Sequence, residues 1–144
     1  MKSNYIKTKE MFKKIKSKLK KKKVNNVNLE KKADELWSEI VKIKDGFRCQ
    51  LCGKLDNLNS HHIIHKSRGK AIRHEIENGV CLCSGCHIFK IHKGDFIANA
   101  KLVKIVGQER IDMLVNKLQG IYKPDYYSII ENLKTIKINL QKEK

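Results

Sequence analysis

Apolar positions recur at helical spacing at both ends of the chain and at shorter, mixed spacing in its middle. Ala33, Leu36, Trp37, Ile40, Val41 and Ile43 fall at i, i+3, i+4 and i+7 and predict an amphipathic helix over 30–44, with Trp37 as a core anchor. Asp45-Gly46 stops it. After Gly94, Phe96, Ile97, Ala100 and Val103 form one stripe, and Ile111, Leu114, Val115 and Leu118 form a second beyond Gly107. Gly120 and Pro124 precede a last helix marked by Tyr126, Ile129, Ile130, Leu133, Ile136 and Leu140. These stripes are expected to pack against the core and each other. In the middle, 47–53 reads as a cysteine-bearing turn, 55–64 as a hairpin with a polar turn at 56–59, and 66–77 as a polar, irregular loop. A short strand follows at 80–83, and Ser84 is placed to N-cap a helix running to about residue 93. No internal repeat is present. The expected class is α+β, mostly α: a small core flanked by helices.

Charge divides the chain. Of 144 residues, 32 are Lys or Arg and 15 are Asp or Glu, a formal net charge of +17. Residues 1–32 hold 13 Lys against Glu10 and Glu30, peaking at Lys20, Lys21, Lys22 and Lys23. Ile6, Phe12, Ile15 and Leu19 recur there at roughly helical spacing. This basic arm, 1–29, reads as a solvated, partly disordered tail or as a polyanion-binding arm that becomes helical on nucleic acid. A membrane-surface helix fits less well, because its apolar face is thin. Charge of this kind shows affinity for polyanions and not an activity. The longest stretch without Asp, Glu, Lys or Arg, 78–89, is twelve residues and includes Asn, Ser and His. A membrane span needs about 20 apolar residues, and the basic N-terminus lacks the apolar segment of a signal peptide. The expectation is a cytoplasmic protein with no membrane partner, divided into the arm, a core with its leading helix at 30–95, and a helical region at 96–144.

Five cysteines in a reducing compartment are not expected to pair as disulfides. Four stand as two C-x-x-C knuckles, Cys49/Cys52 and Cys83/Cys86. A C-x-x-C turn presents two sulfurs to one ion, and two such turns close a tetrahedral zinc site with no open position. The expected zinc is therefore structural, and it supplies folding free energy to a chain with a modest core. Cys81 is left over and reads as a small buried hydrophobe rather than a spare ligand.

Between and after the knuckles the chain reads HHIIHKSRG and ENGVCLCSGCH. These segments resemble the HNH endonucleases with a ββα-metal fold and a four-cysteine zinc site. The family pattern of an acid or His followed by His on the first strand, an Asn before the second strand and a His on the helix is met by His61-His62, Asn78 and His87. His62 lies 25 residues and Asn78 nine residues before His87, both typical of the family. The resemblance covers about 47–93. More loosely, 33–140 is similar to small HNH proteins of tailed phages, some of them recombination nucleases, sharing the apolar leading helix, an Arg (Arg73) shortly before the Asn, and helices after the metal site.

The resemblance implies metal-dependent hydrolysis of DNA phosphodiester bonds. His62 would be the general base, since an imidazole can deprotonate water near neutral pH. His61 and His87 would hold one divalent metal that polarises the phosphate and stabilises the leaving oxygen. Asn78 would brace the loop and hold the base in place. Many relatives carry Asp where His61 stands. An Asp would favour Mg²⁺, whereas two imidazoles favour softer ions such as Mn²⁺, Ni²⁺ or Zn²⁺. On a regular strand His61 and His62 point to opposite faces, so both reach one metal only through a local distortion. His92 follows His87 by five residues, about 140° off the same face of an α-helix. It is a weaker candidate for a metal or phosphate contact. Lys66, Arg68 and Arg73 are placed to contact substrate backbone, His65 and His74 to neighbour solvent or phosphate, and the helix starting near Ser84 to aim N–H groups at a phosphate. The partner is DNA, double-stranded or branched, with a homodimer left open for cutting both strands. Two further readings stand beside this one: a structure-selective nuclease for branched recombination intermediates, and a zinc-dependent nucleic-acid-binding module without cleavage.

Overall fold

The computed structural model describes residues 4–142; the side chains of 4–9 and 21–24 lie outside the described residues. The fold is α+β and mostly helical, with a single two-stranded antiparallel sheet among the described residues. Helix α1 spans Asn4–Lys44, so the helix expected at 30–44 continues unbroken through the basic arm. It ends in a Schellman turn: Phe47 N–H donates to Lys42 O, Gly46 N–H to Ile43 O, and Gly46 takes the left-handed φ of 65° that this turn requires. Strand β1 (Leu58–His62) pairs antiparallel with β2 (Gly79–Cys83), placing His62 opposite Gly79 and Leu58 opposite Cys83. Two 3-10 turns, Lys70–Ile72 and Ile76–Asn78, shape the connection. A π-helix (Gly85–Ile91), α2 (Phe96–Val106), α3 (Gln108–Asn116) and α4 (Tyr126–Lys142) follow.

The hairpin expected at 55–64 does not form. Residues 51–57 make the knuckle turn and a bend, and β1 pairs with β2 across sixteen intervening residues. The strand alternation is local, but its hydrogen-bonding partner is not, and alternation alone cannot name the partner. In α2 the buried residues are Ala98, Leu102 and Val106, whereas Phe96, Ile97 and Val103 of the expected stripe are exposed. This helix is apolar almost all round, so its periodicity does not select a face. The Asp95 cap, whose carboxylate accepts from Ala98 N–H at 2.8 Å, sets the helix entry instead. In the second stripe Leu114 is fully buried and Val115 is exposed. Ser84 is not a side-chain cap: its hydroxyl donates to Asn57 O and accepts from Asn59 Nδ2, tying the turn before β1 to the end of β2.

Two apolar clusters flank the sheet. Val80 and Leu82 of β2 pack with Cys49, Cys83 and Cys86 and with Leu102 and Val106 of α2. On the other side Ala33, Trp37, Ile40 and Val41 of α1 pack with Ile130 and Leu133 of α4. Helix α1 meets β2 at Gly79, where a Cβ would lie 2.2 Å from Val41 Cγ2 and 2.8 Å from Trp37 Cζ2. Only glycine allows this approach, and its φ of −114° is ordinary strand geometry. Gly79→Ala should therefore separate α1 from the sheet and lower stability by about 1–3 kcal/mol, the usual cost of overpacking. Urea unfolding of the two proteins checks this.

Candidate active site

The first knuckle follows the Schellman turn. Gly53, at a φ of 78°, closes it by donating its N–H to Cys49 O, and Cys49 N–H donates to Lys54 O. The second knuckle spans the end of β2 and the start of the π-helix, where Cys86 N–H points at Cys83 Sγ, 3.4 Å away. One N–H of the helix start is thus directed at a sulfur. The four sulfurs of Cys49, Cys52, Cys83 and Cys86 all lie within 4.8 Å of one another, and Cys52 Sγ is 3.6 Å from Cys83 Sγ. Four thiolates at ~2.3 Å around a tetrahedral ion stand ~3.8 Å apart, so this cluster can hold zinc. Burial opposes ionisation of Cys49, yet the surrounding backbone N–H groups bring its thiol down to about 7. Burial, followed by the neighbouring thiols, pushes Cys86 strongly up. Cys81 is buried outside this cluster, its thiol raised to about 11 chiefly by burial.

On β1 the two adjacent histidines part company, as strand geometry requires. His61 turns toward His87 and His92, with ring centroids 5.0 and 5.6 Å away. His62 lies flat on Trp37 at 3.9 Å and 11° between planes. Both nevertheless line one cleft of about 330 Å³, which Trp37 and Lys66 also border.

His92 joins His87 because the helix is not an α-helix. Its N–H donates to His87 O five residues back, and the wider turn brings the two side chains onto one face, Nε2 to Nε2 at 2.9 Å. The off-face placement expected for His92 is corrected by this change of helix type, a form often found at functional sites. His61, His87 and His92 each offer a nitrogen within 4.8 Å of the others. Adjacent octahedral positions with bonds of ~2.1 Å are ~3.0 Å apart, so the 2.9 Å between His87 and His92 suits two ligands of one cation, with His61 close enough to be a third. Burial first, then the other imidazoles, lowers His61 to about 4, and burial and His92 lower His87. His61 is therefore neutral at neutral pH, the form that ligates metal.

His62 is held from two sides. Its Nε2 lies 3.0 Å from Arg73 O, and a carbonyl only accepts, so Nε2 carries the hydrogen and Nδ1 keeps its lone pair. Burial lowers His62 to about 4 against the opposing effects of that hydrogen bond and of Asp34. Asn78 is fully buried and uses its whole amide: Oδ1 accepts from Ile64 N–H at 2.8 Å, while Nδ2 donates to Ile64 O and Ile72 O. It thereby ties Ile64, two residues past β1, to the turn just before Arg73. Arg110 of α3 grips the carbonyls on either side of Asn78, donating to Glu77 O and Gly79 O at 2.6 and 2.7 Å.

Arg73, expected at the substrate backbone, is paired with helix α1. Its guanidinium forks onto Asp34 of α1 at 2.9 and 2.5 Å and reaches Glu30 at 2.8 Å. His74 is not the solvent neighbour expected: its side chain is 8% exposed, and Nε2–H donates to Asp34 at 2.9 Å. Neither pairing was foreseen, because a loop sequence does not reveal which helix will supply its counter-ions. Glu30 also accepts from the Tyr126 hydroxyl, which brings α4 into the same network. His65 is exposed, with Nδ1 2.8 Å from Ser67 Oγ. Lys66 and Arg68 are exposed on the loop, and Lys20 is exposed on α1. Lys21, Lys22 and Lys23 have side chains outside the described residues. Sequence reasoning missed Asp34 and Arg110. Asp34 left one signal, a carboxylate set between Ala33 and Trp37 on a face otherwise turning inward.

Residues 49–93 match the family model described as HNH endonuclease. That segment begins and ends on the features just described, the first knuckle and the turn beyond His92. No curated protein matches the chain, and no solved structure matches it. The match covers the part of the chain that carries both knuckles and the histidines, and it supports a nuclease or nucleic-acid-related function for that part.

The Asp34 network has a pH signature. Burial opposes the charge on Asp34, but hydrogen bonds from His74 and Arg73 overcome it and hold the carboxyl far below its ordinary 3.8. A carboxyl depressed on folding adds stability above its unfolded value and loses it as pH falls below that value. Asp34→Asn should therefore cost about 1–3 kcal/mol at pH 7. The gap from wild type should narrow below about pH 4, as read by urea unfolding across pH.

Proposed function

We propose that the protein is a metal-dependent endonuclease that hydrolyses DNA phosphodiester bonds in the histidine cleft. The observation that carries this reading is His62, a neutral imidazole locked by Arg73 O with its Nδ1 lone pair free. It borders the same cleft as the three imidazoles of His61, His87 and His92. In this reading His62 Nδ1 takes a proton from water as the water oxygen attacks phosphorus and the bond to the leaving oxygen breaks. His61 and His87, with His92 beside them, hold the divalent ion; Mg²⁺, Mn²⁺, Ni²⁺ and Zn²⁺ are the candidates. When bound, that ion polarises the phosphate and stabilises charge on the leaving oxygen. Asn78 acts by position, fixing the distance between the end of β1 and the loop whose carbonyl orients His62. Lys66 and Arg68 meet substrate backbone. The stacked Trp37 ring keeps His62 from rotating and shields one of its faces from water.

The test is nicking of supercoiled plasmid with Mg²⁺, Mn²⁺ or Ni²⁺ and with chelator. Wild-type protein should nick in a metal-dependent way. His62→Ala should lose at least 100-fold in rate, within the range general-base catalysis contributes, while keeping DNA binding and its circular dichroism. Retained cleavage in that variant would sink the assignment of the base. Binding without cleavage under every metal, on plasmid and on a four-way junction alike, would leave a zinc-dependent binding module.

The cysteine cluster is assigned to structural zinc. Purified protein should contain about one zinc per chain at the closed four-sulfur site. Cys83→Ser should release it and abolish the cooperative thermal transition, because zinc binding at such sites is coupled to folding. Metal analysis and calorimetry read the two effects. Unchanged zinc content in Cys83→Ser would rule the assignment out.

A further inference from the structure

Helix α1 belongs to both the cleft and the arm. Asp34, Trp37 and Ser38 line the cleft, and the same helix runs back without a break to Asn4. An α-helix returns to the same azimuth after 18 residues, five turns at 3.6 residues each. Eighteen residues before Ser38 stands Lys20, before Asp34 stands Lys16, and before Lys31 stands Lys13. Lys13, Lys16, Lys20 and Lys31 therefore lie within ~40° of the direction in which Ser38 faces the cleft, and all four are exposed. Phe12, Ile15 and Leu19 occupy a different strip, in phase with the buried Ala33 and Trp37 and ~100° away from the lysines. Lys14 and Lys18 point to the side opposite the cleft face, ~120–160° around the helix.

We propose that Lys13, Lys16, Lys20 and Lys31 form a rail for the phosphate backbone of a duplex whose scissile phosphate sits in the histidine cleft. This deepens the nuclease reading and rests on it. From Ser38 to Lys13 the helix rises ~37 Å at 1.5 Å per residue. That is ~11 base pairs of B-DNA at 3.4 Å each, about one turn of the double helix. A cation row of that length, rigidly continuous with the cleft, meets phosphates on the groove side that faces the enzyme. The substrate must then extend about one duplex turn to one side of the cut.

The face separates a rail from undirected charge, because charge-matched variants can be built on and off it. Lys13→Gln/Lys16→Gln removes two charges from the rail, and Lys14→Gln/Lys18→Gln removes two from the other side. Glutamine keeps the helix propensity of lysine. Binding of a 30-base-pair duplex is measured by fluorescence anisotropy across salt, and nicking is measured on duplexes trimmed stepwise on one side of a mapped cut. The rail variant should lose about tenfold or more in affinity, and its slope of log affinity against log salt should fall by ~2. The control variant should change by less than threefold. Wild-type nicking should drop once one arm of the duplex is trimmed below ~11 base pairs, and the rail variant should be indifferent to that trimming. Equal losses in the two variants, or none in either, overturn the rail. A wild-type protein that binds with the face dependence but cuts nothing overturns the nuclease reading and keeps the rail as a binding surface, so the two failures are distinguishable.

Discussion

Everything in the cleft depends on how closely one helix approaches one strand. At Gly79 the missing Cβ lets Trp37 and Val41 rest on the backbone of β2. From that contact the rest follows by helix geometry. Trp37 comes to lie against His62, and Asp34, one turn earlier, reaches Arg73 and His74. Trp37 also donates its indole N–H to Glu75 O, so the helix anchors the loop through backbone as well as side chain. A bulkier residue at 79 would move a helix that supplies a ring, a carboxylate and a wall of the cleft at once. The small sheet is thus less a core in itself than a plate on which α1 is seated.

The groups that meet at His62 come from widely separated parts of the chain. Arg73 presents the carbonyl, but Arg73 is itself held by Asp34 and Glu30. Asn78 and Arg110 fix the other end of the same loop. Each buried polar group here has a partner, and no buried side-chain nitrogen or oxygen among the described residues lacks one. A fully satisfied network of this kind rigidifies what it encloses. That matters for a general base, since proton transfer depends on the lone pair facing the water and not merely on the residue being present.

The parts of the molecule legible in the sequence were those whose chemistry sets their spacing. Each C-x-x-C turn holds its own two sulfurs close, and the two matched knuckles come together in one cluster as expected. The leading helix was legible because its apolar face is narrow, and α4 for the same reason. Other features were decided by partners far along the chain. The β1–β2 pairing, the fate of Arg73 and the buried face of α2 each depended on an element remote in sequence. The face of His92 was hidden for a different reason: five-residue spacing splits a pair on an α-helix, and this segment winds wider.

That wider winding loosens the link between the number of residues and the position of a ligand. In an α-helix, imidazoles four residues apart share a face; here the pair five apart does so by changing helix type. A chain with this option can absorb a one-residue insertion between two ligands without losing the pair. The extra residue is taken up as pitch, and the segment's ends stay anchored by Cys86 on one side and the Gly94 turn on the other. Spacing rules written for α-helical histidines would pass over such a site, although the same nitrogens converge.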